Sequence, residues 1–271
     1  MRKQTQLVGA EKLMLSDVVT ISRQFLRSVR IDTDIGREDA LSGYICQGTA
    51  ISLLESMAHQ MTETRQRAYT WTGPYGGGKS SLALMLCSLV GAQTEIRTKA
   101  KQLLGLPEGS LVHKVFEAKG DGWLVVPVVG KRADVAHELS AALAKAKSLP
   151  ASRKKQPDVV GELVEAAERH PQGVLVVIDE LGKLHEASAQ DGGDIYFFQE
   201  LAEAASRCSG KLVIVGILHQ AFDAYASRLG RQSRDEWAKV QGRFVDIPLV
   251  AATDEVIELV GKAINVENPP P

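Results

Sequence analysis

"GPYGGGKSSL", residues 73–82, is the stretch on which the reading of this chain turns. It fits the pattern G-x-x-x-x-G-K-[ST], in which glycines let backbone N–H groups turn inward around an anion. Gly73, Gly76, Gly77 and Gly78 supply the turn. Lys79 is a point charge long enough to reach β- and γ-phosphates, and Ser80 offers a hydroxyl to Mg²⁺. Ser81 stands beside it as a further nucleotide-contacting candidate. A glycine-rich turn with an incidental lysine would match the same pattern, so context decides. "AYTWT", 68–72, is a strand candidate just before the loop, and "SSLALMLCSLV", 80–90, is an apolar helix just after it. A phosphate-binding loop requires that order, because the helix then points its positive end at the phosphates.

The composition fits such a domain. The chain has 271 residues and is 44% hydrophobic, enough for one sizeable α/β domain or one domain with appendages. Its net charge of −1 gives no global basic field for nucleic acid. The short basic clusters at the N-terminus, at 97–101 and at 153–155 read as solvated faces or linkers. Cys46, Cys87 and Cys208 lie far apart without a C-x-x-C pair, so neither a zinc ribbon nor a disulfide framework is indicated. Cys87 falls in an apolar run and reads as a small core residue. No charged-then-apolar leader and no membrane-length apolar run is visible. The expectation is a cytoplasmic protein without a membrane partner.

Further along, strand and helix patterns alternate. "WLVVPVV" (123–129), "GVLVVIDE" (173–180), "KLVIVGILHQ" (211–220) and "RFVDIPLV" (243–250) read as strands. Between them lie helical patterns at 133–149, 159–170 and 195–208, and "TDEVIELVGKAI" follows with Thr253 as its cap. This predicts a mostly parallel five-stranded sheet with helices on both faces. Before the loop, "SDVVTISRQFLRSV" and "TAISLLESMAHQMTE" read as helices, the second capped by Thr49, and the stretch between them is turn-rich. The aromatic run Tyr196, Phe197 and Phe198 reads as core. The expected organisation is an N-terminal helical extension over 1–40, a nucleotide-binding core over 41–250, and a lid helix with a proline-rich linker over 251–271, with more protein following it.

Three further features carry chemistry. "VLVVIDE" ends in Asp179 and Glu180; a carboxylate at that strand end can hold the water shell of Mg²⁺, and its neighbour can polarise an attacking water. Two acids at a solvated strand end are the plain alternative. The strand "KLVIVGIL" ends in His219 and Gln220, either of which can contact a γ-phosphate or the attacking water. Arg228, Arg231, Arg234 and Arg243 precede or open the last strand, where an arginine offered to a neighbouring subunit can stabilise transition-state charge. Any of them can instead pair with nearby acids such as Asp235 and Glu236.

The order of phosphate-loop lysine, Asp-Glu strand, polar-ended strand, arginine and "GRFVDIPL" resembles the AAA+ ATPases and their STAND-type relatives, over about residues 40–265. The resemblance implies a three-layer P-loop NTPase fold with strand order 5-1-4-3-2. It implies ATP and Mg²⁺ as ligands, with Lys79 and Ser80 in the phosphate-loop roles, Ser80 and Asp179 at the metal, and Glu180 as the base. It makes His219 or Gln220 a first sensor and favours Arg231 or Arg234 as the arginine finger, with Arg243 as a further candidate. "LSGYIC", 41–46, falls where such proteins contact adenine, which brings in Tyr44. The helical lid of the family is barely begun here, so a second sensor arginine has no position in this sequence.

More narrowly, "TWTGPYGGGKSSLAL", "VIDELGK", "FFQELAEAA" and "GILHQAF" resemble large bacterial ATPases of anti-phage defence or DNA-modification systems. The implied activity is ATP hydrolysis in a homo-oligomer or a partner-gated complex, with nucleic acid reached through partners or further regions. A nucleotide-held assembly scaffold with incidental or no turnover is the competing class. A small-molecule kinase is disfavoured, because Glu180 suits water activation and no arginine-rich acceptor lid is visible. No zinc finger, basic helix or aromatic-basic platform supports direct DNA reading.

Overall fold

The computed structural model describes residue 14 and residues 18–150, 157–184, 196–220 and 238–266. Its strands are β1 (Val19–Ile21), β2 (Ala68–Thr72), β3 (Leu124–Val129), β4 (Val174–Asp179), β5 (Leu212–Leu218), β6 (Val245–Pro248) and β7 (Ile264–Val266). The longer described helices are α1 (Gly48–Glu63), α2 (Lys79–Val90), α3 (Thr94–Leu103), α4 (Leu111–Val115), α5 (Val135–Ala146), α6 (Val159–Arg169), α7 (Tyr196–Arg207) and α8 (Thr253–Ala263).

Two units divide the chain. The larger runs from Val29 to Ala252 and holds a five-stranded sheet in the order β3-β4-β5-β2-β6, all neighbours parallel. Counted along the chain, that is 2-3-4-1-5, the expected 5-1-4-3-2 read from the other edge. Every residue of β2, β4 and β5 is buried. Strands covered on both faces are mostly apolar: β2 keeps two buried threonines, Thr70 and Thr72, whereas β4 up to its terminal Asp179 and β5 are apolar throughout. Their side chains divide with a period of two. Leu175, Val177, Val213, Val215 and Ile217 join one cluster with Tyr69, Trp71, and residues of α1, α2 and α3. Val176, Ile178, Leu212, Ile214 and Leu218 join the other, with residues of α5, α6 and α7. The sheet is therefore the middle of three layers. Cys87 is completely buried, as its apolar run suggests.

Helix starts on the second face are fixed by aspartates. The Asp134 carboxylate accepts from the His137 N–H at 2.9 Å, and Asp158 accepts from Gly161 N–H at 2.9 Å. Each satisfies an N–H that the first helical turn leaves without an intrahelical partner. α1 starts differently from expectation. Its cap is Gln47, not Thr49, because the Gln47 carbonyl already accepts from the Ala50 and Ile51 N–H groups. The turn-rich stretch before it contains two single-turn helices, Ile31–Asp34 and Glu38–Leu41, and Ile31 and Leu41 are fully buried. α3 and α4 were not legible as helices. α3 buries only Ile96 and Ala100, too thin a stripe to stand out against its charged residues.

The smaller unit comprises residues up to 28 and from 253 onward. In it β1 and β7 pair antiparallel, Val19 opposite Val266 and Ile21 opposite Ile264. The helix expected over "SDVVTISRQFLRSV" is corrected here to a strand and a short 3₁₀ turn, Arg23–Leu26. Val18, Val19, Thr20 and Ile21 are all β-branched, which favours an extended backbone, and the partner strand lies over 200 residues away. α8 begins at Thr253 with Asp254 and Glu255 in its first turn, where their charge suits the helix dipole.

At the start of α7, Phe198 is completely buried and Phe197 nearly so, whereas Tyr196 is 53% exposed and is not part of the core. Truncating Phe198 to alanine is expected to destabilise the protein by about 3–5 kcal/mol, the cost of an emptied aromatic site. Tyr196→Ala should cost clearly less, since about half of that residue's surface is already in solvent. Urea unfolding of the two variants checks the pair.

Candidate functional site

The site forms where three parallel strands end together. β2 runs into the glycine loop, β4 into Asp179 and Glu180, and β5 into His219. Register aligns these exits, since Thr72 lies opposite Leu218 and Ile178 opposite Gly216. Crevices at the carboxyl ends of parallel strands collect ligands for this reason.

The loop is built by close backbone approach. Gly73 has φ +157, and a Cβ placed on it would lie 2.3 Å from the Leu249 carbonyl oxygen. Leu249 is itself tied in, its N–H donating to the Thr72 carbonyl at 2.7 Å. Gly76 and Gly78 also have positive φ, and α2 starts at Lys79 directly after Gly78. The Lys79 side chain is 3% exposed, and its ammonium donates to the carbonyls of Gly73 and Pro74, each at 2.6 Å. Burial pushes its pKa below the usual lysine value, and Asp179 pulls the other way. The ammonium is thus held beside the loop by oxygen acceptors, the class to which phosphate oxygens belong.

Asp179 is 5% exposed at the end of β4. Burial raises its pKa, opposed by hydrogen bonds from the Ser80 hydroxyl and the Glu180 N–H, the latter at 2.9 Å. A hydroxyl and a carboxylate in contact at the head of α2 are hard oxygen donors. They suit Mg²⁺, which needs only one or two protein oxygens when phosphates and water complete its shell. Among the described residues, no group of three or more His, Cys, Asp and Glu side chains could hold a metal. The donor pair fits Mg²⁺ brought with a nucleotide.

Glu180 has φ +55, a left-handed backbone that is costly for a residue with a Cβ, on the order of 1–2 kcal/mol. Its surroundings enforce it. Gly130, past the end of β3, donates its N–H to the Asp179 carbonyl at 2.7 Å, and a Cβ there would lie 2.3 Å from the Glu180 oxygen. The Glu180 carboxylate pairs with Lys183, and His219 Nε2 lies 4.0 Å from its other oxygen. Burial, then the positive charge of Lys79, lowers the His219 pKa, which favours the neutral imidazole. The His219 ring stacks on Tyr75 of the loop with centroids 3.8 Å apart and planes at 20°.

The structure therefore brings together Lys79, Ser80, Asp179, Glu180 and His219, with Ser81 in the first turn of α2. Gln220 follows His219 at the bend. Tyr44 is partly buried against the core cluster to which α1 and α2 contribute and hydrogen-bonds with Cys46; burial raises its pKa. Arg228, Arg231 and Arg234 lie outside the described residues. Arg243 is engaged elsewhere, its Nε donating to Glu203 Oε1 on α7 at 2.8 Å. Sequence reasoning passed over Tyr75, Lys183 and Asp246. Tyr75 stood at a position where the loop pattern accepts any residue. Lys183 follows Glu180 by three residues, a helical spacing. Asp246 on β6 accepts from the hydroxyls of Thr70 and Thr72 at 2.8 and 3.1 Å, and the alternation of those threonines on β2 was the available signal.

No family model matches the chain, and no curated protein does. Among solved structures, Cdc6p from Pyrobaculum aerophilum is 15% identical over 91% of this chain and 54% of its own, with a TM-score of 0.46. The Aeropyrum pernix ORC1 protein, solved in complex with DNA, is 16% identical over 84% of this chain and 53% of its own, with a TM-score of 0.47. DnaI is 12% identical over 86% of this chain and 93% of its own, with a TM-score of 0.34. The chain spans about half the length of the first solved structures it resembles. On its own sheet order, loop and layers, the larger unit has the three-layer α/β fold of P-loop NTPases.

Gly73→Ala forces the loop away from Leu249 and is expected to destabilise the protein by about 1–3 kcal/mol, the cost of overpacking, measured by urea unfolding. A second expectation concerns pH. Hydrogen bonds from Arg243 and Gln199 hold the Glu203 carboxyl below its usual range. A lowered folded pKa means its stabilising contribution is present above the unfolded value and is lost as pH falls through the folded one. Arg243→Ala should move the Glu203 titration, followed by carbon-13 NMR, upward toward the ordinary value.

Proposed function

We propose that this chain is an ATP-binding, Mg²⁺-dependent ATP-hydrolysing module acting as a switch or motor. The observation that carries this is the convergence of Lys79, the Ser80–Asp179 pair and Glu180 at the ends of β2 and β4. Gly73, Gly76, Gly77 and Gly78 cradle the phosphates with backbone N–H groups, and Lys79 exchanges its loop carbonyls for β- and γ-phosphate oxygens. Ser80 and Asp179 hold Mg²⁺, which neutralises charge on those oxygens. Glu180 orients the attacking water and accepts its proton. A neutral His219 beside it can donate one hydrogen bond and accept another across the same space.

Arg231 or Arg234, offered across a subunit boundary, is proposed to supply the transition-state cation, which makes the working form a homo-oligomer or a complex with a partner protein. The AAA+ assignment, and the setting in a bacterial defence or DNA-handling complex, belong to this proposal as well. They are supported by the quoted motifs and the 5-1-4-3-2 order. Tyr44 as an adenine contact rests on its place in "LSGYIC".

Lys79→Ala is expected to abolish binding of labelled ATP. Glu180→Gln should retain binding while kcat falls about 10²–10⁴-fold, the usual worth of a general base. Turnover is measured with Mg²⁺ across a range of protein concentrations, with and without nucleic acid. If Mg²⁺-dependent hydrolysis is absent under all of these conditions while Lys79-dependent binding persists, the chain is an assembly scaffold instead.

A further inference from the structure

We infer that Tyr75 is a positioning residue for His219, fixing the plane of the imidazole from within the phosphate loop. The inference rests on the nucleotide reading above. Tyr75 lies between Pro74 and Gly76, where the loop pattern asks for no particular side chain. Its backbone is nonetheless anchored, because the Pro74 carbonyl accepts both from the Gly77 N–H at 3.2 Å and from the Lys79 ammonium at 2.6 Å. The phenol is 77% exposed, so no core packing accounts for an aromatic ring there. What the ring does touch is His219, in a flat stack with centroids 3.8 Å apart.

The geometry of that stack matters. Ring nitrogens donate and accept in the plane of the imidazole, whereas stacking uses its face. Tyr75 therefore restrains rotation of the ring without occupying either nitrogen. The edge so fixed lies toward Glu180, whose Oε1 is 4.0 Å from Nε2. Because the histidine acts where water and the γ-phosphate meet, a loose ring should harm the chemical step more than nucleotide binding. The loop that holds the phosphates thereby also aims the polar group at the end of β5.

The test compares wild type with Tyr75→Phe, which keeps the flat ring, and Tyr75→Leu, which keeps bulk without it. Tyr75→Phe should retain kcat within about twofold, and Tyr75→Leu should lose about five- to tenfold, within the roughly two- to twelvefold an aromatic pair is worth. Affinity for ATP, read with a fluorescent analogue, should stay within about twofold in both. Adding Tyr75→Leu to His219→Ala should cause no further loss of kcat. A second readout needs no turnover. In protein labelled at histidine, the His219 ring signals, assigned through His219→Ala, should be shifted upfield by the facing ring in wild type and in Tyr75→Phe, and should move downfield in Tyr75→Leu. Unmoved His219 signals in Tyr75→Leu, equal losses of kcat in Phe and Leu variants, or an additive loss in the double variant would overturn the inference. Absence of turnover in wild type counts against the ATPase reading, and the NMR comparison still decides the contact.

Discussion

The ladder between β2 and β5 is the constraint on which the rest depends. It sets Thr72 opposite Leu218, and so sets the first glycine of the loop beside the first residue after β5. A slip of one residue would turn Trp71 and Ile217 toward the other face and empty one core while crowding the other. Both faces of the sheet are packed, so the register is specified twice over. The position of Lys79 relative to Glu180 and His219 is thus a consequence of hydrophobic burial on both sides of the sheet, well away from any charge.

Charge is then placed at the one boundary where that burial ends. Lys79 and Asp179 are among the few buried ionisable groups, and each is met by hydrogen-bonding partners supplied by adjoining backbone or Ser80. Burial pushes the two pKa values toward one another, the lysine down and the aspartate up. Each is the electrostatic complement of the other, and a ligand carrying both negative phosphates and a divalent cation matches that division. Glu180 is less buried but more constrained in its backbone, which is compatible with the role toward water proposed for it.

Much of this was legible in the sequence. Long apolar runs gave β4 and β5 because strands buried on both faces admit few polar residues, and the loop pattern gave Lys79 and Ser80 because only certain side chains can follow those glycines. Less was legible where structure depends on distant partners. β1 reads locally as part of a helix and becomes a strand only through Ile264–Val266. Tyr75 carries no pattern of its own, since its partner His219 lies 144 residues later and meets it through the β2–β5 pairing. Arg243 reads in sequence as a further arginine-finger candidate or a partner of nearby acids, and the acid that pairs with it is supplied by α7. Local physics is written locally, and pairings across the sheet are not.

Gly130 illustrates how far the site extends beyond its chemistry. It has no side chain, lies just past the end of β3, the strand farthest in the sheet from the one that feeds the phosphate loop, and packs against the carbonyls of Asp179 and Glu180. Any larger residue there must lift the peptide that carries the glutamate. On the proposed function, a genetic screen for lost activity would return this position alongside the reactive groups, and a reader of such a map would find a hit with no functional group to explain it. The explanation is a wedge, acting through a peptide bond on the aim of a carboxylate.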